Sequence, residues 1–164
     1  MQTMREPAAI SKAWFLLRSV VMIEVRASTE IHATPAAVWR VLTDLPRFAA
    51  WNPFIRSARG STGIGDTVRV RVRPPLGIPL VFRATILDRE DERALRWEGH
   101  VLARWLACGD HSFEIEPLPG GGVRFEQHET FSGLLPWLGR KLLGPQARRG
   151  FEAMNTALAK EAEA

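Results

Sequence analysis

Apolar and polar residues alternate with a period of two along most of the chain between residues 23 and 131. The clearest case is the segment 66–73, in which Val68, Val70 and Val72 alternate with arginines. This period places the valines on one face of a strand and the arginines on the other face, in water. Similar patterns, bounded by Gly, Pro and charged turns, predict further strands at residues 23–32, 54–61, 80–90, 94–101, 111–118 and 123–131.

Two regions show helical spacing instead. After the first predicted strand, Thr34 can cap a helix and Pro35 can open it. Apolar residues then recur every three or four positions, at Val38, Val41, Leu42 and Leu45. Pro46 and the sequence Trp51-Asn52-Pro53 end this periodicity, so we expect two short helices with a break at 44–46.

A longer amphipathic helix is predicted at the end of the chain. Its apolar stripe steps by three or four residues through Leu143, Ala147, Phe151, Met154 and Leu158. Pro145 follows Gly144 inside this pattern. Because proline removes a backbone hydrogen bond and clashes with the carbonyl four residues earlier, we expect a break or kink there.

The order of elements predicts an α+β fold with a curved antiparallel sheet of about six to seven strands. The connections between strands are too short for the crossovers that parallel strands require. A sheet wrapped around the long C-terminal helix, with two short helices after the first strand, accounts for the order. We expect one domain at residues 22–164, preceded by an extension at residues 1–21.

The extension contains an apolar segment, AWFLLRSVVMIEV at residues 13–25, that Arg18 interrupts. A membrane-spanning helix needs about 20 mostly apolar residues, and a signal peptide needs an uninterrupted apolar centre. The segment fits neither pattern. We expect an appendage that is disordered or helical, for example from a start upstream of Met22; the alternative is a peripheral amphipathic helix on a membrane surface.

Composition narrows the classes of partner. The 164 residues include 22 Lys and Arg and 18 Asp and Glu, for a net charge of +4 and a pI near 10.2. The basic residues are spread along the chain and form no nucleic-acid-binding motif, so we expect no nucleic-acid partner. With the single cysteine Cys108, no disulfide within the chain is possible. A cytoplasmic location fits this cysteine count.

Polar residues occur on strand faces that are otherwise apolar. His111 shares its parity with Phe113, while Gln127 and Glu129 share theirs with Phe125. The glycine-rich turn at 119–122 makes the two strands neighbours, which brings His111 near Gln127 and Glu129. A histidine beside a buried glutamate can act as an acid/base pair. The alternative is a satisfied structural pair, or a pair at the mouth of the fold in water.

The sequence contains weaker indications of metal binding and of nucleotide binding. The four histidines do not have the spacing of HExxH or of a similar metal motif, and no glycine-rich nucleotide-binding motif is present. We therefore expect neither a metal nor another cofactor.

Four segments of the sequence together are similar to one known family: STEIHATPAAVWRVLTDLPRFAAWNPFI at 28–55, LRWEG at 95–99, HSFEIEPLPGGGVRFEQHETFSGLL at 111–135 and RRGFEAMNTALAK at 148–160. They resemble the SRPBCC, or START-like (Bet v 1-like, helix-grip), superfamily, in its polyketide cyclase/dehydrase and lipid transport branch. The resemblance covers residues 23 to about 160. It implies a cavity, mainly apolar, between sheet and long helix. The N-terminal extension and Pro145 depart from the family pattern.

The resemblance and the strand parities together give candidate ligand-binding residues. His111 and Glu129 are also the candidates for acid/base catalysis. The full set is Trp39, Trp51, Phe82, Trp97, His111, Phe113, Phe125, Gln127, Glu129, Phe151 and Met154.

Three functions remain open from the sequence. The first is binding of a small hydrophobic molecule, such as a lipid, sterol or polyketide, by a monomer or homodimer. The second is a cyclase/dehydratase-type enzyme without metal or nucleotide, which predicts His111 and Glu129 within hydrogen-bond reach inside the fold. The third is a protein-interaction module, which predicts a filled core and a large exposed apolar patch.

Overall fold

The computed structural model describes residues 22–75 and 77–164, which form seven strands, four α-helices and one 3-10 turn at Leu45–Arg47. The strands are β1 (Ile23–Ile31), β2 (Ile55–Arg59), β3 (Thr67–Val72), β4 (Leu80–Glu90), β5 (Ala94–His100), β6 (Cys108–Pro117) and β7 (Val123–Ser132). The helices are α1 (Pro35–Thr43), α2 (Phe48–Trp51), α3 (Leu134–Leu138) and α4 (Arg140–Ala162).

The strands form one antiparallel sheet in the order β1-β7-β6-β5-β4-β3-β2. The sheet curves around the long helix α4, whose closest strand is the edge strand β1. This arrangement confirms the predicted helix-grip fold, with seven strands. The expectations for residues 1–21 concern a segment outside the described residues, so the predicted domain boundary remains an expectation.

The start of α1 follows from its sequence. The Thr34 side-chain oxygen accepts a hydrogen bond from the Ala37 N–H at 3.2 Å, and Pro35 occupies the first turn. These are the expected roles of a cap residue and of a proline whose missing N–H is not needed. α1 ends at Thr43, and the 3-10 turn carries the chain into α2, as the break at 44–46 predicted.

Asn52 explains the end of the helical region. It is fully buried, and its side-chain oxygen accepts hydrogen bonds from the N–H groups of Phe54 and Ile55 at 3.0 and 2.8 Å. An asparagine that bonds its own backbone two and three residues on replaces the next helical turn. The chain therefore leaves α2 and enters β2 directly.

Of the break or kink expected at Pro145, the break is wrong and the kink stays a prediction. α4 is one helix that begins at Arg140 and contains Pro145. Pro145 is the sixth residue of α4, beyond the N–H groups that lack partners at a helix start, so it removes the bond to the carbonyl of Lys141 and the helix continues without it. The interruption lies earlier, at Gly139, which separates α3 from α4.

The core lies between the inner face of the sheet and α4. Its largest fully buried side chains come from the sheet, from the short helical region after β1 and from the apolar stripe of α4, and the aromatic ones are Phe48, Phe113, Phe125 and Phe151. The inner face of β3 consists of the three predicted valines, all buried. Among the described residues, no helix is long and apolar enough to cross a membrane.

Candidate functional site

His111 and Glu129 lie opposite each other on β6 and β7, which the hairpin at 118–122 joins. The His111 side chain is buried, and the Glu129 side chain is 13% exposed. The distance from Nδ1 of His111 to Oε2 of Glu129 is 3.6 Å. That separation is slightly beyond a hydrogen bond, and a shift of about half an ångström would close it.

A chain of buried amides continues from the other side of the imidazole. Nε2 of His111 is 3.1 Å from Oε1 of Gln127. The Gln127 amide donates to Oδ1 of Asn155 on α4 at 2.6 Å, and to the Phe151 carbonyl oxygen at 3.4 Å. The polar chain therefore crosses the core from the sheet to the long helix.

This chain determines where the imidazole proton lies. The Phe151 carbonyl can only accept, so the Gln127 nitrogen faces it and the Gln127 oxygen faces His111. Nε2 of His111 then carries the proton, and Nδ1 presents a lone pair toward Glu129. A protonated Glu129 is the complementary donor.

Burial moves both groups toward their neutral forms. Burial is the main cause that lowers the pKa of His111 to about 3, against a smaller opposing effect of the Gln127 hydrogen bond. Burial also raises the pKa of Glu129 to about 8, and the negative charge of Asp110 raises it further. At pH 7 the two groups are a neutral base and a neutral acid, not an ion pair.

Aromatic rings surround the imidazole. The His111 ring stacks on Phe113 with centroids 4.2 Å apart, and the Phe151 ring lies 4.8 Å away at a tilt. Trp97, the cross-strand partner of His111, meets it edge-on at 5.9 Å. These rings exclude water from one side of the imidazole, which is the physical origin of its lowered pKa.

Two glycines create space next to the pair. Gly99 on β5 and Gly109 on β6 are paired across the strands, one step beyond Trp97 and His111 on the same inner face. A Cβ atom on Gly99 would lie 2.7 Å from the Phe82 ring, and one on Gly109 would lie 2.5 Å from Oε1 of Glu129. Because neither glycine has a Cβ atom, the Phe82 ring and the Glu129 carboxyl can occupy the space beside them.

The other predicted residues lie in three places. Met154 and Phe125 are fully buried in the filled part of the core. Trp39 lies under the Arg89 guanidinium, 5.4 Å away, beside the turn from β4 to β5 and thus at the end of the sheet away from α3. Trp51 contacts Phe48 edge-on at 5.1 Å and is half-buried.

Two clefts on the described part of the chain have linings that do not include His111, Gln127 or Glu129. One, of about 260 Å³, lies between β1 and α4, and its lining includes the charged side chains of Arg26 and Glu152. The other, of about 60 Å³, includes Trp51 and Glu161. In this conformation the aromatic side chains fill the inner part of the fold.

Asn155, Gly99 and Gly109 are the candidate site residues that sequence reasoning missed. Asn155 follows Phe151 by four residues, so the apolar stripe of α4 itself pointed to an inward position. The glycines share strand parity with Trp97 and His111, but only the register shows that they face each other. Among the described residues, no cluster of three His, Cys, Asp or Glu side chains could hold a metal ion.

The chain belongs to the family described as polyketide cyclase / dehydrase and lipid transport, whose model matches residues 22–163. This match confirms the family predicted from the four sequence segments. No curated protein matches the sequence.

Solved structures with the same fold include enzymes. The Zhui aromatase/cyclase from Streptomyces sp. R1128 has a TM-score of 0.73 and 20% identity, over 87% of this chain and 94% of its own. A norcoclaurine synthase from Thalictrum flavum, in complex with a transition-state analogue, has a TM-score of 0.67 and 14% identity, over 88% of this chain and 96% of its own. At such identities the similarity establishes the fold.

Proposed function

We propose that the chain binds a small, mainly apolar molecule that carries a carbonyl or hydroxyl group. The ligand lies between the inner face of the sheet and the first half of α4, with its oxygen at the His111–Glu129 pair. The observation that carries the proposal is the buried polar chain Asn155–Gln127–His111. It is bonded at each internal step and ends at Nδ1 of His111, which lies 3.6 Å from Oε2 of Glu129.

A chain of this kind is costly in a core of apolar side chains. Burying a polar group is unfavourable by about 1–3 kcal/mol unless it is hydrogen-bonded. An apolar interior would be the simpler solution for folding alone. The remaining donor and acceptor at His111 and Glu129 are suited to a ligand hydroxyl or carbonyl, which would complete the chain.

Room for a ligand would come from the Gly99–Gly109 region. The side chains that occupy it are the half-buried Phe82 and the Glu129 carboxyl, and both can rotate. Phe131, also half-buried, lies at the end of β7, with its ring 3.7 Å from the position of a Cβ atom on Gly109. By contrast, Phe113 and Phe125 are fully enclosed, so we expect the ligand to stop at the imidazole.

The first experiment is native mass spectrometry of the freshly purified full chain, followed by solvent extraction of any adduct. Titration with fatty acids, sterols and aromatic polyketides follows, with quenching of tryptophan fluorescence as the readout and Trp97→Phe to identify the contribution of Trp97. Trp97 contacts His111, so a ligand at the pair would change its emission. Absence of both an adduct and quenching would contradict the proposal.

A charge-neutral pair of variants localises the site. Glu129→Gln keeps the size and neutrality of the protonated acid, so binding at pH 7 should remain within about threefold of the native chain. Binding to the native chain should weaken above pH 8, where Glu129 ionises, while binding to Glu129→Gln should not. Glu126→Gln, on the outer face of the same strand, is the matched control and should behave as the native chain does.

An acid/base enzyme of the cyclase/dehydratase type is the second candidate. The observation that favours it is the placement of a neutral acid and a neutral base 3.6 Å apart, in which the raised pKa of Glu129 keeps the acid protonated at pH 7. His111 could take a proton from a carbon next to a ligand carbonyl while Glu129 donates one to the oxygen. General acid or base catalysis contributes about 10²–10⁴-fold.

Turnover separates the two candidates. For an enzyme, Glu129→Gln should lower kcat by at least about 100-fold and leave ligand affinity at pH 7 nearly unchanged. For a carrier, the extracted ligand should come back unaltered from the native chain and from Glu129→Gln. Glu126→Gln again serves as the control.

A further inference from the structure

One end of the fold carries large apolar side chains in contact with solvent. This end, the α3 end, contains residues 73–75 and 77–79 between β3 and β4, the connection 101–107 and the start of the helical region at 133–143. Backbone hydrogen bonds from Leu134 to Trp105 and from Leu135 to Leu106 fix α3 against the 101–107 connection. The apolar patch consists of the exposed residues Leu102, Trp105, Leu134, Leu135, Trp137, Leu138 and Leu142.

The 101–107 connection holds large apolar side chains in an exposed position. Leu102 is 87% exposed and has a φ of +61°, a left-handed conformation that is unfavourable for leucine. Trp105 is 70% exposed on the same connection. A strained backbone that holds apolar side chains in water gains nothing for folding, and contiguous exposed apolar surface of this kind marks an interaction site.

Charge is distributed unevenly around the patch. The segments 67–87, 99–109 and 132–151 contain no Asp or Glu in the sequence. Their basic residues are Arg69, Arg71, Arg73, Arg83, Arg104, Arg140, Lys141, Arg148 and Arg149. Arg104 forms an ion pair with Glu98, and at the opposite end Glu90 and Glu116 form ion pairs with Arg93 and Arg124. The charged residues next to the exposed leucines of α3 and the start of α4 are Arg140 and Lys141, so this part of the α3 end complements a negatively charged partner.

This charge argues against two other occupants of the patch. A second copy of the chain would bring the same basic surface against itself. Residues 1–21 lead into β1, whose first residue pairs with Phe131 at this end, but they contain three basic residues and one acidic residue. Like charges would oppose both contacts.

We propose that the α3 end docks on a lipid surface with anionic headgroups. Leu102, Trp105 and the exposed side of α3 enter the boundary between headgroups and acyl chains, while Arg140 and Lys141 contact the headgroups. The Arg140 guanidinium lies 5.5 Å above the Trp137 ring and donates to the Trp137 carbonyl at 3.1 Å. Tryptophan beside arginine is the composition of a membrane-interface anchor.

The site of the proposed ligand lies at this same end, but the docking does not depend on it. Gly99 and Gly109 directly precede and follow the connection that carries Leu102 and Trp105. Vesicle binding is measured without any ligand, so loss of one proposal leaves the other intact.

The test is co-sedimentation of the full chain with vesicles of phosphatidylcholine alone or with about 30% phosphatidylglycerol. We expect binding to the anionic vesicles that weakens with added salt, and binding at least about tenfold weaker to the neutral ones. The double variant Leu102→Ser/Trp105→Ser should lose at least about tenfold in binding. Arg140→Gln/Lys141→Gln should lose about fivefold for each charge removed.

Ile64→Ser is the matched control, because Ile64 is 67% exposed on the connection from β2 to β3, at the opposite end of the sheet. It should bind anionic vesicles as the native chain does. The proposal would be overturned if Leu102→Ser/Trp105→Ser bound anionic vesicles as strongly as the native chain does. It would also be overturned, in favour of the N-terminal segment, if only Trp14→Ser/Phe15→Ser lost binding. Light scattering that shows a dimer, without vesicle binding, would overturn it in favour of self-association.

Discussion

His111 and Glu129 face each other in the register of β6 and β7, and 3.6 Å separates Nδ1 of the first from Oε2 of the second. Burial shifts the pKa values of both groups toward neutrality. The pair is therefore a poised donor and acceptor at neutral pH. Its consequences can be measured without knowledge of the ligand.

The pair should shape the pH dependence of stability. Its lowered pKa means that His111 is neutral in the folded chain, so the free energy of unfolding falls as pH drops from 6.5 towards 3. Its raised pKa means that Glu129 stays protonated when folded, so stability falls as pH rises from 4.5 towards 8. Between pH 4.5 and 6.5 the two effects on the free energy of unfolding have opposite signs and cancel.

Urea unfolding at a series of pH values tests this profile. Glu129→Gln should abolish the decline between pH 6.5 and 8 and keep the decline below 4.5. Glu126→Gln, on the outer face of β7, should retain the decline in stability between pH 6.5 and 8 and the decline below pH 4.5. A native profile that rises between pH 6.5 and 8, and rises equally in Glu129→Gln, would mean that Glu129 ionises in the folded chain at low pH.

Gly109→Ala should displace the Glu129 carboxyl. The new methyl group would lie 2.5 Å from Oε1, too close for contact, so the carboxyl must turn toward solvent. We expect the pKa of Glu129 to fall from about 8 toward its ordinary value, as measured by carboxyl-carbon NMR titration. Gly120→Ala, on the hairpin with open space around it, should leave that pKa unchanged. An unaltered titration in Gly109→Ala would contradict the described geometry.

Asn155→Leu should destabilise the chain even though it adds an apolar residue to an apolar stripe. The Gln127 amide would lose its 2.6 Å bond and keep only the longer one to the Phe151 carbonyl. We expect a loss of about 1–3 kcal/mol in the free energy of unfolding. The double variant Gln127→Leu/Asn155→Leu should recover part of it, because both polar partners are then gone. Stabilisation by Asn155→Leu alone would show that the polar chain is not required.

Gly150→Ala tests the contact of α4 with the segment after α2. In an exposed helix this change stabilises by about 1 kcal/mol, since glycine is a poor helix former. Here the added Cβ would overlap the Phe54 ring, and overpacking costs about 1–3 kcal/mol. We expect a net loss of stability in thermal unfolding, with recovery in Gly150→Ala/Phe54→Leu. A gain in Tm for Gly150→Ala alone would place Phe54 elsewhere.

The sequence by itself determined the order of elements. Alternation along β3 and β4 and the three- and four-residue steps in α4 reflect backbone geometry, which is local. The same parity placed His111, Gln127 and Glu129 on inner faces, and the hairpin at 118–122 made their strands neighbours. The wrong prediction of a break at Pro145 came from the same local reasoning, because packing of α4 against β1 and α1, which a local pattern does not show, stabilises the helix despite the lost backbone bond.

Only the tertiary structure decided which of these residues meet. Trp39 and Phe82 both belong to apolar patterns, yet one lies under Arg89 and the other covers Gly99. The hydrogen bond between Gln127 and Asn155 joins residues that are far apart in sequence. The exposure of Trp105 and Leu102 depends on the absence of any other segment packed over them in the described structure. Packing between distant segments determines such contacts, whereas a periodic pattern specifies only the face on which each side chain lies.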